Sequence, residues 1–143
     1  VLIRTSNPGA TDIQYLEQTS GARVYTEVGR RVAELGRQCI GSSGYSSVGG
    51  VVGCTHVEEA QTLRSELASV FFLVPGYGAQ GGTAADVAMY LKDGNGGIVN
   101  SSRGILLAWK NKQDGAEHFD AYAAAEAARM RDDIAAAVRA RQT

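Results

Sequence analysis

The sequence is poor in the residues that mark several classes of protein. Its only two cysteines, Cys39 and Cys54, form no CxxC pair, so neither a zinc site nor a disulfide framework is indicated. Each cysteine falls in or beside an apolar segment, and we expect both to be buried, reduced thiols. This cysteine usage favours a reducing, cytoplasmic setting.

A strong excess of charge and long apolar runs are also lacking. The formal net charge is -1, which gives no electrostatic footprint for binding nucleic acid or an anionic membrane. The longest apolar stretches, such as residues 70–74, are far shorter than the roughly 20 residues that a membrane span needs. No segment with the pattern of a secretory leader opens the sequence. We therefore expect a soluble, cytoplasmic protein with no nucleic-acid or membrane partner.

What the chain does contain is an alternation of strand and helix patterns. Its 143 residues, 44% of them hydrophobic, are enough for one domain with a single core. Apolar runs at residues 1–4, 51–54, 70–74 and 98–100 read as strands, and helical periodicity recurs between and after them. This order predicts an α/β fold with four parallel strands and helical crossovers. It fits either half of an eight-fold barrel or a small open sheet.

Local signals give the helix starts and the loops. Residues 55–58 and 83–86 both have the capping-box form, a hydroxyl with a carboxylate three residues on, and should each open a helix. Residues 41–50 are rich in glycine and serine and read as a loop. Apolar residues at helical spacing over residues 119–138 predict a long closing helix.

Three unusual loops, residues 5–10, 75–82 and 100–104, each follow a predicted strand. Because ligand sites of α/β folds lie at the carboxyl ends of the strands, we expect these loops to share one rim. Glycines in the second loop let backbone approach an anion closely, and Gln80 can donate two amide hydrogens. Arg103 offers a planar fork that matches phosphate oxygens. A phosphate site is indicated, although the glycines could simply form a tight turn and Arg103 a surface ion pair.

These loops also resemble those of a known family. Residues 75–82, PGYGAQGG, are similar to the phosphate loop of orotidine 5′-phosphate decarboxylases. Residues 5–10, TSNPGA, and 100–104, NSSRG, resemble the loops after that family's fifth and eighth strands. GYSSVG at residues 44–49, with VVG at 51–53, looks like the sixth-strand region of one bacterial branch. The resemblance runs from Val1 to about Trp109.

The resemblance implies half of a (β/α)₈ TIM barrel, strands five to eight, and the decarboxylation of orotidine 5′-monophosphate (OMP) to uridine 5′-monophosphate (UMP) in pyrimidine biosynthesis. No cofactor or metal is implied. Ser6 would hydrogen-bond the pyrimidine and Pro75 would pack against it, whereas Gln80, Ser102 and Arg103 would bind the phosphate. Ser6 could instead cap a turn, and Pro75 could merely end its strand.

One departure from the family's pattern limits this expectation. The family's chemistry depends on an array of lysines and aspartates, including a D-x-K-x-x-D run, on strands before the fifth. The lysines of this chain are Lys92, Lys110 and Lys112, and none lies in such a run. No catalytic residue is therefore assigned to this chain, and His56 and His118 are interpreted as solvated or structural.

The whole of residues 1–143 is thus interpreted as a C-terminal half-barrel. Because the sequence opens in the middle of a strand, we expect the N-terminal half to be a missing part of the same chain or a separate polypeptide, and complete barrels to form dimers. A non-catalytic phosphate- or nucleotide-binding half-barrel is the alternative. A dinucleotide-binding sheet is a weaker one, because the GxGxxG pattern at residues 76–81 comes late and lacks the acidic residue that follows it in such folds.

Overall fold

The computed structural model describes residues 1–142, which form one four-stranded sheet with its helices. The strands are β1 (Leu2–Arg4), β2 (Ser46–Val52), β3 (Val70–Pro75) and β4 (Gly97–Asn100). The α-helices are α1 (Ala10–Gln14), α2 (Val24–Gly36), α3 (Val57–Glu66), α4 (Ala84–Met89), α5 (Ser102–Leu106) and α6 (Phe119–Ala140), and a short 3-10 helix spans Arg37–Cys39. A helix follows every strand, as the sequence predicts.

The sheet is parallel throughout, with strand order β1-β2-β3-β4. Neighbouring strands in the sheet are therefore consecutive in the sequence. The ends of β3 and β4 are in register, since Pro75 is paired with Asn100. The predicted α/β fold with four neighbouring parallel strands is confirmed, and the carboxyl ends of all four strands lie along one edge.

The helices cover only one face of the sheet. Side chains alternate between the two faces of a strand, and those facing the helices are almost wholly buried, among them Ile3, Phe72 and Val74. On the opposite face, Leu2, Leu73 and Ile98 are 64%, 40% and 59% exposed. The continuous apolar run of β3 is typical of a strand buried on both faces. Within residues 1–142, helices pack against only one of those faces.

Strand β2 begins earlier than its composition predicts. The loop expected at residues 41–50 is wrong from Ser46 onward, where the backbone N–H donates to the carbonyl of Ser69 and pairing with β3 begins. Glycine is required in this strand because its neighbours approach closely. A Cβ on Gly50 would lie 2.2 Å from Ile3 Cδ1, and one on Gly49 would lie 2.8 Å from the Phe71 carbonyl oxygen.

The two predicted capping boxes have opposite outcomes. At α4 the box is complete, because the Asp86 N–H donates to Thr83 Oγ1 at 3.2 Å and the Thr83 N–H donates to Asp86 Oδ2 at 2.8 Å. At α3 the predicted helix is present and begins at Val57, but the capping box is not, since the N-cap is His56 and no side chain caps the helix. A hydroxyl and a carboxylate at the right spacing are necessary for the box, but the backbone before the helix must also bring them together.

The predicted closing helix over residues 119–138 is confirmed as α6, which extends to Ala140 and packs through one stripe of side chains. Met130 is buried, and Ile134 and Val138 pack partly buried against the core. Phe119 and Ala127, which share the predicted apolar face, are exposed. No helix within residues 1–142 is both long and apolar enough to cross a membrane.

Candidate functional site

The loops after β3 and β4 enclose one small pocket at the carboxyl edge of the sheet. Its volume is about 180 Å³, and its wall includes four of the predicted site residues, Pro75, Gln80, Ser102 and Arg103. The remaining lining residues belong to the same two loops: Gly76, Tyr77, Ala79, Asn100 and Ser101. The structure thus brings together side chains that are separated by up to 28 positions in the sequence.

The glycine loop is a tightly folded turn that uses much of its own hydrogen-bonding capacity. Three of its glycines adopt positive φ angles, 110° at Gly76, 71° at Gly78 and 89° at Gly81, which residues with a Cβ rarely adopt. The N–H groups of Gly78, Gly81 and Gly82 donate to carbonyl groups within the loop. These three amides are therefore not available to an anion, so the expectation that the glycine backbone binds phosphate is wrong for them. The Gln80 N–H has no such acceptor in the described part of the chain.

Gln80 and Ser6 connect the glycine loop to the loop after β1. Ser6 Oγ donates to Gln80 Oε1 at 3.0 Å. The side-chain Nε2 of Gln80 makes no hydrogen bond within residues 1–142, so both of its hydrogens can reach a ligand. All five predicted site residues therefore belong to one connected rim, with Ser6 joined to the pocket through Gln80.

Arg103 lies in the first turn of α5, which begins in the segment predicted to be a loop. The helix runs over Ser102–Leu106, so its first three residues fall within the predicted loop of residues 100–104. Because the first N–H groups of a helix lack intrahelical acceptors, those of Ser102 and Arg103 face outward from its start. The Arg103 side chain is exposed and has no ion pair or hydrogen bond with the described residues. The alternative of a surface ion pair for Arg103 finds no partner carboxylate there.

A buried cluster that the sequence did not reveal holds the loop after β1. Arg4, at the end of that strand, is fully buried and donates through Nε to Glu59 Oε2 at 3.0 Å. It also donates to the Thr5 carbonyl and to Gln14 Oε1, and the Thr5 N–H donates to Gln14 Oε1 at 3.1 Å. These hydrogen bonds hold the backbone N–H and carbonyl of Thr5, the residue next to Ser6, in place. An arginine at the end of a short strand carries no signal of burial, since its partners lie 10 and 55 positions away.

Tyr15 completes this cluster. Its ring lies beneath the Arg4 guanidinium, whose carbon is 4.6 Å from the ring centre, and its hydroxyl contacts Glu59. Burial, and then the hydrogen bond to Glu59, raise the pKa of Tyr15. The phenol therefore remains protonated and shares the carboxylate with Arg4.

The two cysteines and His56 differ in environment. Cys54 is fully buried, and burial raises the pKa of its thiol to about 11. Cys39 is exposed, so the expectation of two buried thiols is wrong at that position: the chain ends its 3-10 helix there at the surface. Burial, with the nearby Arg4 charge, lowers the pKa of His56. Within residues 1–142 no group of three or more histidine, cysteine or acidic side chains could hold a metal ion.

A larger cleft, of about 650 Å³, lies away from this rim. It is open and mostly apolar, and it runs between α6 and β4 at the free edge of the sheet. Ile98, Met130 and Ile134 contribute to its walls. The cleft lies beside β4, the last strand of the sheet within residues 1–142.

These features define an α/β unit with a polar pocket at the carboxyl ends of its parallel strands, where ligands of α/β proteins bind. No family model matches the chain. Among curated proteins, the orotidine 5′-phosphate decarboxylase of Clostridium perfringens is 59% identical over 138 residues, covering 96% of this chain and 48% of that protein. The orotidine 5′-phosphate decarboxylase of Clostridium tetani is 56% identical over 138 residues, with the same two shares.

Solved structures give the same result. A Streptomyces avermitilis protein provisionally assigned as an orotidine 5′-phosphate decarboxylase superimposes with a TM-score of 0.69 at 27% identity, over 96% of this chain and 44% of that one. The four strands and their helices correspond to half of a (β/α)₈ barrel. The chain is thus a homologue of the orotidine 5′-phosphate decarboxylases, which confirms the predicted resemblance. It spans about half the length of the curated relatives that it matches.

Proposed function

We propose that this chain is the C-terminal half of an orotidine 5′-phosphate decarboxylase and supplies the phosphate and pyrimidine contacts for turning OMP into UMP and CO₂. The observation that carries this proposal is the rim pocket, in which Gln80, Ser102 and Arg103 converge beside Pro75. Homologues with this activity match the chain at 50–59% identity over nearly all of its length.

Each rim residue has a chemical role in this proposal. Arg103, which pairs with no carboxylate among residues 1–142, binds phosphate oxygens together with the N–H groups that begin α5. Gln80 donates through Nε2, and its Oε1 holds Ser6 beside the pocket. Ser6 then presents its hydroxyl to the pyrimidine, while Pro75 offers an apolar surface to the ring.

The catalytic groups are assigned to the other half of the barrel. The three lysines of this chain are all exposed, and none lies on the rim. The uncovered face of the sheet, with Leu2, Leu73 and Ile98 exposed, is the face that an N-terminal half-barrel would cover. We propose that this half comes from the same parent chain or from a separate polypeptide, that complete barrels form dimers, and that the enzyme works in the cytoplasm.

A chimera with a known decarboxylase tests this proposal. A chimera is made in which this chain replaces the matching half of the Clostridium tetani decarboxylase, and OMP decarboxylation is followed by the loss of substrate absorbance. The chimera should turn over, whereas the isolated chain should not. Turnover by the isolated chain would contradict the assignment of the catalytic groups to the other half.

The exposed lysines also favour a second candidate, a half-barrel retained only for binding a phosphate or a nucleotide. That candidate predicts that the chimera binds UMP without decarboxylating OMP. The two candidates are separated by measuring UMP affinity and turnover on the same chimera preparation.

A further inference from the structure

Tyr77 joins the glycine loop to two other elements of the fold. Its side chain is 5% exposed, and its hydroxyl donates to Asp133 Oδ2 on the closing helix α6 at 2.6 Å. The two residues are 56 positions apart. The hydrogen bond therefore attaches the middle of the loop to a helix that contributes no residue to the rim pocket.

The backbone of Tyr77 makes the second connection. Its carbonyl oxygen accepts from Ser101 Oγ at 3.2 Å, in a buried contact, and from the Ala79 N–H at 3.0 Å. Ser101 directly precedes Ser102 and Arg103 at the start of α5. Tyr77 thus sits where the two phosphate-binding loops and α6 meet.

The protonation state of Tyr77 favours a stable hydrogen bond to Asp133. Burial, and then the hydrogen bond to Asp133, raise the pKa of Tyr77, so the phenol keeps the proton that it donates. Arg129, one turn earlier on α6, also interacts with this hydroxyl and lowers its pKa, although less than burial and Asp133 raise it. The Arg129 guanidinium donates two further hydrogen bonds to Glu126, at 2.6 and 2.8 Å. Asp133 is the acceptor of the phenol hydrogen and so determines the direction of the O–H bond.

We propose that Asp133, acting through Tyr77, is a positioning residue that holds the glycine loop in its phosphate-binding form. The closing helix then contributes to the phosphate site although none of its residues lines the rim pocket. This inference rests on the proposed function, because it concerns the same phosphate pocket. It goes beyond that proposal by assigning a role to residues outside the rim.

The chain contains a matched control for this hydrogen bond. Tyr122 OH donates to Asp114 Oδ1 at the same distance of 2.6 Å, but that pair is exposed and lies away from the loop. In the chimera, Tyr77→Phe should weaken UMP binding by about ten- to a hundred-fold, the effect of one hydrogen bond to a charged group. Uridine, which has no phosphate, should bind unchanged. Tyr122→Phe should leave both affinities unchanged.

Conservative variants separate positioning from general stability. Asp133→Ala should reproduce the effect of Tyr77→Phe, and the double variant should be no weaker than either single one. Asp133→Asn keeps an acceptor oxygen at the same place and should recover most of the UMP affinity. Equal losses for UMP and uridine, or no loss for either, would overturn the inference.

A second measurement tests the attachment without any ligand. Hydrogen exchange is followed on the chain itself at the N–H groups of Gly78, Gly81 and Gly82, which donate within the loop. Tyr77→Phe should speed exchange at these amides and leave those of β3 unchanged, and Tyr122→Phe should change neither. Unaltered loop exchange in Tyr77→Phe overturns the inference, whereas a wild-type chimera that does not bind UMP overturns the proposed function.

Discussion

Ser6 Oγ lies 3.0 Å from Gln80 Oε1, although 74 positions separate the two residues in the sequence. The contact closes the rim between β1 and β3, which are separated in the sheet by β2. The oxygen of this one amide side chain therefore orients Ser6, the proposed pyrimidine contact, while its nitrogen is free to bind phosphate. Substrate recognition at the base and at the phosphate should consequently be coupled through Gln80.

The first prediction concerns Arg103, the exposed guanidinium at the rim. Each hydrogen bond to a charged group contributes roughly 1.5–3 kcal/mol, and an arginine can make two such bonds to a phosphate. In the chimera, Arg103→Ala should therefore weaken UMP binding by about ten- to a thousand-fold and leave uridine binding nearly unchanged. Calorimetric titration with both ligands measures the difference. If both ligands lost affinity equally, Arg103 would be a structural residue.

Gln80→Ala serves as the companion variant. It should weaken UMP by less than Arg103→Ala, since a neutral amide is the weaker donor. Unlike Arg103→Ala, it should also reduce uridine affinity, because Ser6 loses the acceptor that orients it. A Gln80→Ala variant that discriminates between the ligands as sharply as Arg103→Ala would show that the two loops act independently.

Much of the rim could be predicted because short-range signals specify it. The proline and glycines of residues 75–82 and the strand before them are contiguous, so local sequence was enough to place Pro75 and Gln80 after β3. Register then brought Asn100 beside Pro75, which follows from parallel pairing. The same reasoning placed Ser102 and Arg103 after β4, although the segment predicted to be a loop already begins helix α5 at Ser102.

What could not be predicted depends on contacts between distant residues. Arg4 is buried because Glu59, Gln14 and Tyr15 meet it from two helices and a turn, and nothing at position 4 indicates this. The early start of β2 has a similar cause. Its glycines resemble those of a loop, but they are needed where Ile3 and the Phe71 backbone press against the strand.

The second prediction concerns the two thiols. Cys54 is buried with a pKa of about 11, whereas Cys39 is exposed, so only Cys39 should react quickly with a thiol reagent in the folded chain. In denaturant both should react. The Cys39→Ser variant should then show almost no fast reaction when folded. A fast-reacting thiol in that variant would indicate that the core around Cys54 opens readily.

The third prediction concerns the pH dependence of stability at His56. Burial lowers its pKa below the ordinary value of 6.5, so the unfolded chain binds this proton more readily than the folded chain. The stabilisation is present above the unfolded pKa and is lost as the pH falls. Between about pH 7 and about pH 5, wild type should therefore lose more stability than His56→Gln, as measured by urea unfolding. A parallel decline of the two proteins would assign the pH dependence to other groups.

The last prediction tests the buried cluster behind Ser6. Glu59 is 13% exposed and is the only carboxylate that pairs with the fully buried Arg4 in the described residues. Removing one partner of a buried ion pair leaves the other charge without compensation, which costs roughly 3–5 kcal/mol. Glu59→Ala should lower the free energy of unfolding by about that amount. Glu34→Ala removes a carboxylate that pairs with Arg31 at 3.3 Å, but the Glu34 side chain is 59% exposed and its loss should cost less than about 1 kcal/mol.

Urea unfolding of the two variants beside wild type gives both values, and Glu59→Gln, which keeps the side chain's shape and acceptor oxygen, should fall between them. Similar losses for Glu59→Ala and Glu34→Ala would mean that water or a rearranged side chain compensates Arg4, and that the loop after β1 is not held by this cluster.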